Sequence, residues 1–240
     1  MKAPKPARQY LDRAEQIAAL LEAAGELDAE ARSNGRMARR ALLSTLVFAG
    51  LRITEALDLE WRDVDLAGGR LRVRASKTDA GVRSVDLLPI LRDELTAHKT
   101  ACRGTTPLVF PSAAGTRQDR NRVRTRILAK AISRANVKLA EQRLAALPDG
   151  LTLHALRRTC AALRIALGQD PAHVMEVLGH TDPSVTLGIY ARVMRFGAAE
   201  REALRLLVEG RYLAVAGSSD ETGSEATVVA AEQEGQKSLK

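Results

Sequence analysis

Along this chain the apolar positions keep a helical spacing, switch to alternation over one short stretch, and then return to helical spacing. Ile17, Leu20 and Leu21 recur at intervals of three and four, which predicts a helix over residues 12–24. Gly25 and the Ser33-Asn34-Gly35 cluster then punctuate the chain. A strongly apolar helix is predicted over residues 37–49, stopping at Gly50, and Thr54 is the predicted N-cap of the next one. Between Asp65 and Leu88 the period drops to two: Leu71 and Val73 alternate with Arg70, Arg72 and Arg74. Gly68-Gly69 is a turn signal before this alternation, and after a second one at Asp79-Ala80-Gly81 come Val82, Val85 and Leu87. This predicts a small antiparallel sheet with one polar, arginine-bearing face, and residues 107–111 (PLVFP) are a candidate third strand.

The rest reads as helix. Arg117, Arg120, Arg122, Arg124, Arg126 and Lys130 lead into a helix ending near Leu139, and Pro148-Asp149-Gly150 breaks the chain. Further helices start after Thr152 and near Pro171, ending at Gly168 and Gly179. Pro183 opens a turn before a helix carrying Tyr190, and an amphipathic helix covers residues 198–208. Three units follow: a lead-in over residues 1–9, one folded domain over 10–216, and a disordered acidic tail over 217–240.

Charge sharpens this picture. The net charge is +8, while five carboxylates against two lysines give the tail −3, so the remainder carries +11. Such a surplus favours a polyanion, nucleic acid before membrane. The two cysteines, Cys102 and Cys160, stand far apart without a CxxC partner, against a zinc module or disulfide scaffold and in keeping with a reducing cytoplasm. The longest apolar run, residues 41–51, is too short to span a bilayer, and the N-terminus lacks the apolar stretch of a secretory signal. The expectation is a soluble, cytoplasmic protein.

Four segments place polar groups where a helical core would not want them. Arg52 follows the Gly50 turn at a helix N-terminus, where a guanidinium suits a phosphate oxygen. Lys77 sits in Ser76-Lys77-Thr78 on the predicted hairpin. His154 and Arg157 are three apart and share a helix face. Leu178-Gly179-His180 precedes Tyr190 across a proline-containing turn. Each alone has an ordinary structural explanation, such as an Arg52–Glu55 pair or a bonded core histidine.

The ordered set resembles the signature of the tyrosine recombinases of the phage integrase type, from about Tyr10 to Val208. AGLRITEAL resembles the family's first conserved box, SKTDAGVR its hairpin lysine, HALRRT with LGH the second box, and VTLGIYARV the nucleophile segment. The resemblance implies an α+β, mainly α catalytic domain with a small antiparallel sheet. It implies DNA cleavage and rejoining through a 3′-phosphotyrosine, without metal or other cofactor. Tyr190 would be the nucleophile, with Arg52 and Arg157 on the non-bridging oxygens. Lys77 would protonate the departing 5′-oxygen, His154 would assist proton transfer at the tyrosine, and His180 would bond a phosphate oxygen. Glu55 matches an acidic position with a positioning role. Tyr10 and Tyr212 are the weaker nucleophile candidates, read as packing or surface residues.

Partners follow in the same way: double-stranded DNA, a homotetramer assembled on it, and accessory DNA-bending proteins, with no membrane. Arg117, Arg120, Arg122, Arg124 and Arg126 are the candidate backbone contacts, against a merely solvated helix face. Family members usually carry a helical core-binding domain ahead of the catalytic one, and this chain starts close to where the catalytic domain should. A DNA-binding fragment without productive catalysis and a type IB topoisomerase are the rival readings.

Overall fold

The computed structural model describes residues 9–31, 38–74, 82–102, 106–179 and 183–212. The predicted lead-in up to residue 8, the Ser33-Asn34-Gly35 cluster, the Asp79-Ala80-Gly81 turn, Lys77, His180 and the acidic tail lie outside them. Helices α1 (Ala14–Ala29), α2 (Arg39–Ser44) and α3 (Ile53–Leu57) come first, followed by the sheet β1 (Val64–Asp65), β2 (Arg70–Val73) and β3 (Arg83–Asp86). Then come α4 (Pro89–Ala101), α5 (Arg120–Arg122), α6 (Ala129–Glu141), α7 (Leu153–Ala166), α8 (Pro171–Leu178), α9 (Pro183–Val193) and α10 (Ala198–Val208). None of the described helices is long and apolar enough to cross a membrane.

The aliphatic stripes meet in one core. Leu20, Leu42, Leu46, Phe48, Leu95, Leu139, Leu156 and Leu178 are all fully buried within it. α7 crosses the middle, packing on the π-helical turn Thr45–Ala49 that continues α2, and on α8 and α9. Such wide turns change the phase of a helix and recur at functional sites. A second one, Val123–Leu128, joins α5 to α6 inside the arginine run.

The sheet is antiparallel in the order β1-β2-β3, pairing Val64 with Leu71 and Leu71 with Val85. Leu71, Val73 and Val85 face the core, while Arg70 and Arg72 are exposed, as alternation predicts.

Several sequence expectations need correction. α1 runs through Gly25, because its packing partner α6 holds its outer face with Arg134–Glu30 (2.7 Å) and Lys138–Glu26 (2.7 Å) ion pairs. The N-cap of α3 is Arg52, not Thr54: the Glu55 carboxylate accepts the Arg52 backbone N–H at 2.8 Å and fixes the helix start there. α4 was not predicted at all, although Pro89 at its first turn and Leu91 and Leu95 one turn apart carry its signal. Residues 107–111 make only isolated bridges, Glu60 with Leu108 and Pro111 with Arg117, and β1 is the third strand instead. Pro183 is the first residue of α9 rather than part of a preceding turn.

The segment before α1 is tied down. The Leu11 N–H donates to Thr159 Oγ1 on α7 (2.9 Å). Asp12 pairs with Arg192 of α9 (2.5 Å), whose guanidinium lies 5.2 Å from the Tyr10 ring centroid. Residues 10–12 therefore strap the helix that carries Tyr190 onto α7.

Candidate active site

The site begins at the glycine turn between the first π turn and α3. Gly50 has φ +63°, and its carbonyl accepts a hydrogen bond from Arg157 of α7. A Cβ at this position would overlap Leu178 Cδ2 and lie 3.0 Å from both Cβ and Sγ of Cys160. Gly50→Ala combines left-handed backbone strain with overpacking, at about 1–2 and 1–3 kcal/mol respectively. The expected result is a fall of roughly 5–15 °C in the thermal midpoint, readable by calorimetry; an unchanged midpoint would mean the turn relaxes freely.

Directly after this turn, Arg52 donates from Nη1 to Glu55 Oε1 at 2.8 Å and from Nη2 to the Gly179 carbonyl at 2.9 Å. Arg157 donates to the carbonyls of Gly50 and Leu178 and lies 3.9 Å from Glu55 Oε2. Arg83, on β3, donates from Nε to the Val177 carbonyl at 2.7 Å and takes both Glu55 oxygens, at 3.2 and 2.9 Å.

Three consecutive carbonyls at the C-terminal end of α8, those of Val177, Leu178 and Gly179, thus each hold one arginine. They are among the orphan acceptors that any helix leaves at this end, where its dipole favours cations. Gly179, left-handed at φ 60°, ends α8 and turns the chain there. Glu55 faces all three guanidiniums from the other side, so three positive charges meet one carboxylate.

The electrostatics follow from this packing. Burial pushes the Glu55 carboxyl up, but hydrogen bonds from Arg83 and Arg52 outweigh it and hold the group below the usual glutamate range. Burial, with repulsion from Arg52 and Arg83, brings Arg157 down to about 10, so it keeps its charge at neutral pH. The side chains of Arg157 and Arg83 are only 1% and 7% exposed, whereas that of Arg52 is 39% exposed. Arg52 is therefore the member of the cluster most open to an incoming anion.

His154 is exposed on the first turn of α7, one turn before Arg157, in a helix capped by Thr152 Oγ1 accepting the Ala155 N–H at 3.1 Å. Tyr190 is 37% exposed on α9, which packs on α7 and α8. The other two tyrosines differ sharply. Tyr10 is 6% exposed, and burial pushes its hydroxyl up to about 12; burial pushes Tyr212 to about 12 as well.

The arginine run divides. Arg117 lies off the helix, tied to Asp58 (Nη2 to Oδ2, 3.1 Å), which raises its pKa further. Arg120, Arg122, Arg124 and Arg126 are exposed, and Asp119 caps their helix by accepting the Arg122 N–H at 2.9 Å. Arg122 and Arg126, with Arg39 and Lys130, line a cleft of about 330 Å³ between this helix and α1.

Arg83 was missed by the sequence reading, although a signal exists. It shares a strand face with Val85, two residues on, so a charged side chain stands in the inward register. Arg164 is a similar case on α7: it is buried and donates to the Asp86 carbonyl at 3.0 Å, anchoring the end of β3.

Comparison with known proteins places this arrangement. The model of the phage integrase family matches residues 11–195. The tyrosine recombinase XerC of Rhodospirillum centenum is 32% identical over 147 residues, covering 61% of this chain and 40% of that protein. XerC of Nitrobacter winogradskyi is 32% identical over 187 residues, covering 76% and 53%. A putative prophage phiRv2 integrase of Mycobacterium tuberculosis is 30% identical over 165 residues, covering 62% and 41%. The chain thus spans about half the length of these relatives.

Among solved structures, XerA recombinase has a TM-score of 0.57 at 21% identity, covering 84% of this chain and 64% of that one. The Tn1549 transposon integrase in complex with circular intermediate DNA has a TM-score of 0.61 at 18% identity, covering 85% and 68%. The fold is that of the tyrosine recombinase catalytic domain, mainly helical with a small antiparallel sheet. With its glycine turn, buried arginines and exposed tyrosine set on that fold, the chain belongs to the phage integrase family.

Proposed function

We propose that this chain is a site-specific DNA recombinase that breaks and rejoins strands through a 3′-phosphotyrosine, serving integration or excision of a mobile element. The observation that carries the reading is the arginine cluster around Glu55: three guanidiniums against one carboxylate leave a net positive site at the Gly50 turn. Such preorganised charge suits the negative charge that builds on the non-bridging oxygens of a pentacoordinate phosphorus. Tyr190 attacks the phosphorus, the bond to the 5′-oxygen breaks, and the chain keeps the 3′-phosphate as a phosphodiester. His154 takes the phenolic proton, and Lys77 gives a proton to the leaving 5′-oxygen. Arg52 and Arg157 bind the non-bridging oxygens, and His180 bonds one of them. Rejoining reverses the steps and needs no ATP, because the phosphotyrosine conserves the bond energy.

Exposed Arg120, Arg122, Arg124 and Arg126 supply backbone contacts to double-stranded DNA in this reading, and the protein works in the cytoplasm as a homotetramer on its site. The related solved structures include complexes of a transposon integrase and of a lambda integrase dimer with DNA, which supports DNA as the partner. Neutralising Arg122 and Arg126 together with glutamine is expected to make the dependence of log affinity on log salt shallower by about two. A slope unchanged from wild type in a filter-binding titration would remove this helix from the interface.

The deciding experiment uses a library of nicked suicide DNAs, from which the cleaved 5′ fragment is lost by diffusion. A covalent protein–DNA adduct that forms in EDTA, and whose proteolysed peptide carries the nucleotide on Tyr190, is the expected result. No adduct, even with a core-binding domain supplied, would favour a DNA-binding fragment. Adduct formation with relaxation of supercoiled plasmid by the monomer would favour the topoisomerase reading.

A further inference from the structure

We propose that Arg83 is a positioning residue for strand cleavage, setting the orientation of the Glu55 carboxylate and, through it, of Arg52. The inference rests on the function proposed above and assigns part of that site to a strand of the sheet. Arg83 reaches Glu55 from β3 with both prongs of its guanidinium, whereas Arg52, with a side chain 39% exposed, is the member of the cluster open to an incoming anion. Arg83 donates from Nε to the Val177 carbonyl, from Nη1 to Glu55 Oε1 and from Nη2 to Glu55 Oε2.

The geometry makes the fork the important feature. Each Glu55 oxygen already serves Arg52, Oε1 through its guanidinium and Oε2 through its backbone N–H, both at 2.8 Å. One pair of bonds from Arg52 alone leaves the carboxylate plane free to rock with the Arg52 side chain. The planar, two-pronged grip of Arg83 closes that freedom from the far side, and a lysine, as a point charge, cannot reproduce it. Its third bond ties the same guanidinium to the C-terminal turn of α8, where the next two carbonyls hold Arg157 and Arg52. Arg83 therefore keeps β3, α3 and α8 in one register around the two arginines proposed to meet the phosphate. Arg164 holds the other end of β3 through the Asp86 carbonyl, so the strand is fixed at both ends.

The test is single-turnover cleavage at saturating protein, on the nicked DNA selected as above, with Arg83→Met and Arg83→Lys beside wild type. Methionine keeps an unbranched apolar stem and removes the charge. Arg83→Met is expected to cleave about 100-fold more slowly, with DNA affinity within about threefold of wild type. Its acid limb should move to higher pH, because Glu55, facing Arg52, Arg83 and Arg157 among the described residues, loses a partner that favours its ionised form. Arg83→Lys should restore the position of the acid limb more fully than the rate. A purely structural staple would lower the unfolding temperature while leaving the rate and acid limb of folded protein at wild-type values, and that result would overturn the proposal. Should Arg83→Met fail to fold, Arg83→Lys decides: cleavage at the wild-type rate overturns it, and a loss of about tenfold or more supports it. A wild-type protein that forms no adduct overturns the proposed function and this inference together; a variant equal to an active wild type overturns the inference alone.

Discussion

Tyr190→Phe is expected to lower strand cleavage by at least ~10⁴-fold while leaving the fold intact. The substitution removes one oxygen from a side chain that is 37% exposed, so unfolding free energy should stay within about 0.5 kcal/mol of wild type. No other described tyrosine is placed to substitute. Tyr10 lies in the core beneath Arg192, and Tyr212 is half-buried; burial pushes both hydroxyls up to about 12, away from the phenolate needed for attack. Trapped adduct measured on a denaturing gel checks this directly. Adduct persisting in the mutant and mapping to either of those tyrosines would show that the nucleophile is misassigned.

Glu55→Gln should be the most destabilising change in the site. It removes the carboxylate from between three guanidiniums, two of them almost fully buried. Breaking a buried pair by deleting one partner costs about 3–5 kcal/mol, which for a domain of this size is a fall of roughly 10 °C in thermal midpoint. The same carboxylate governs acid stability. Its folded pKa lies below the ordinary 4.5, so its contribution is fully present above 4.5 and is lost as pH falls through the lower folded value. Denaturant titrations at neutral and acidic pH should find the gap between wild type and Glu55→Gln narrowing towards acid. A gap that stays constant would mean the glutamate acts by shape and not by charge.

The elements read most accurately from sequence were those with chemical punctuation at both ends. α8 lies between Asp170-Pro171 and Gly179, and α10 covers the predicted 198–208. α4 was overlooked because its apolar residues are few: only Leu91 and Leu95 are buried, on a helix otherwise rich in polar residues. The PLVFP stretch was misread because Val109 and Phe110 are buried by the core rather than by strand pairing. For the site, Arg52, Glu55 and Arg157 could be named from local motifs, and the structure brings them together. Arg83 could not be named from a motif of its own. Its significance depends on β3 lying against α8, a contact between residues 94 positions apart.

Under the proposed function, the three carbonyls that end α8 also bear on how the protein would meet DNA. An arginine side chain in water samples many rotamers, and fixing one costs roughly 2 kcal/mol of side-chain entropy. Here Arg52, Arg83 and Arg157 are already immobilised by peptide oxygens when the chain folds. Those oxygens carry only partial charges and orient the guanidiniums without cancelling their charge, so with the single Glu55 carboxylate the cluster stays net positive. In that reading, association with a phosphodiester would meet side chains whose freedom has already been surrendered, leaving more of the electrostatic attraction for the strained phosphorus centre.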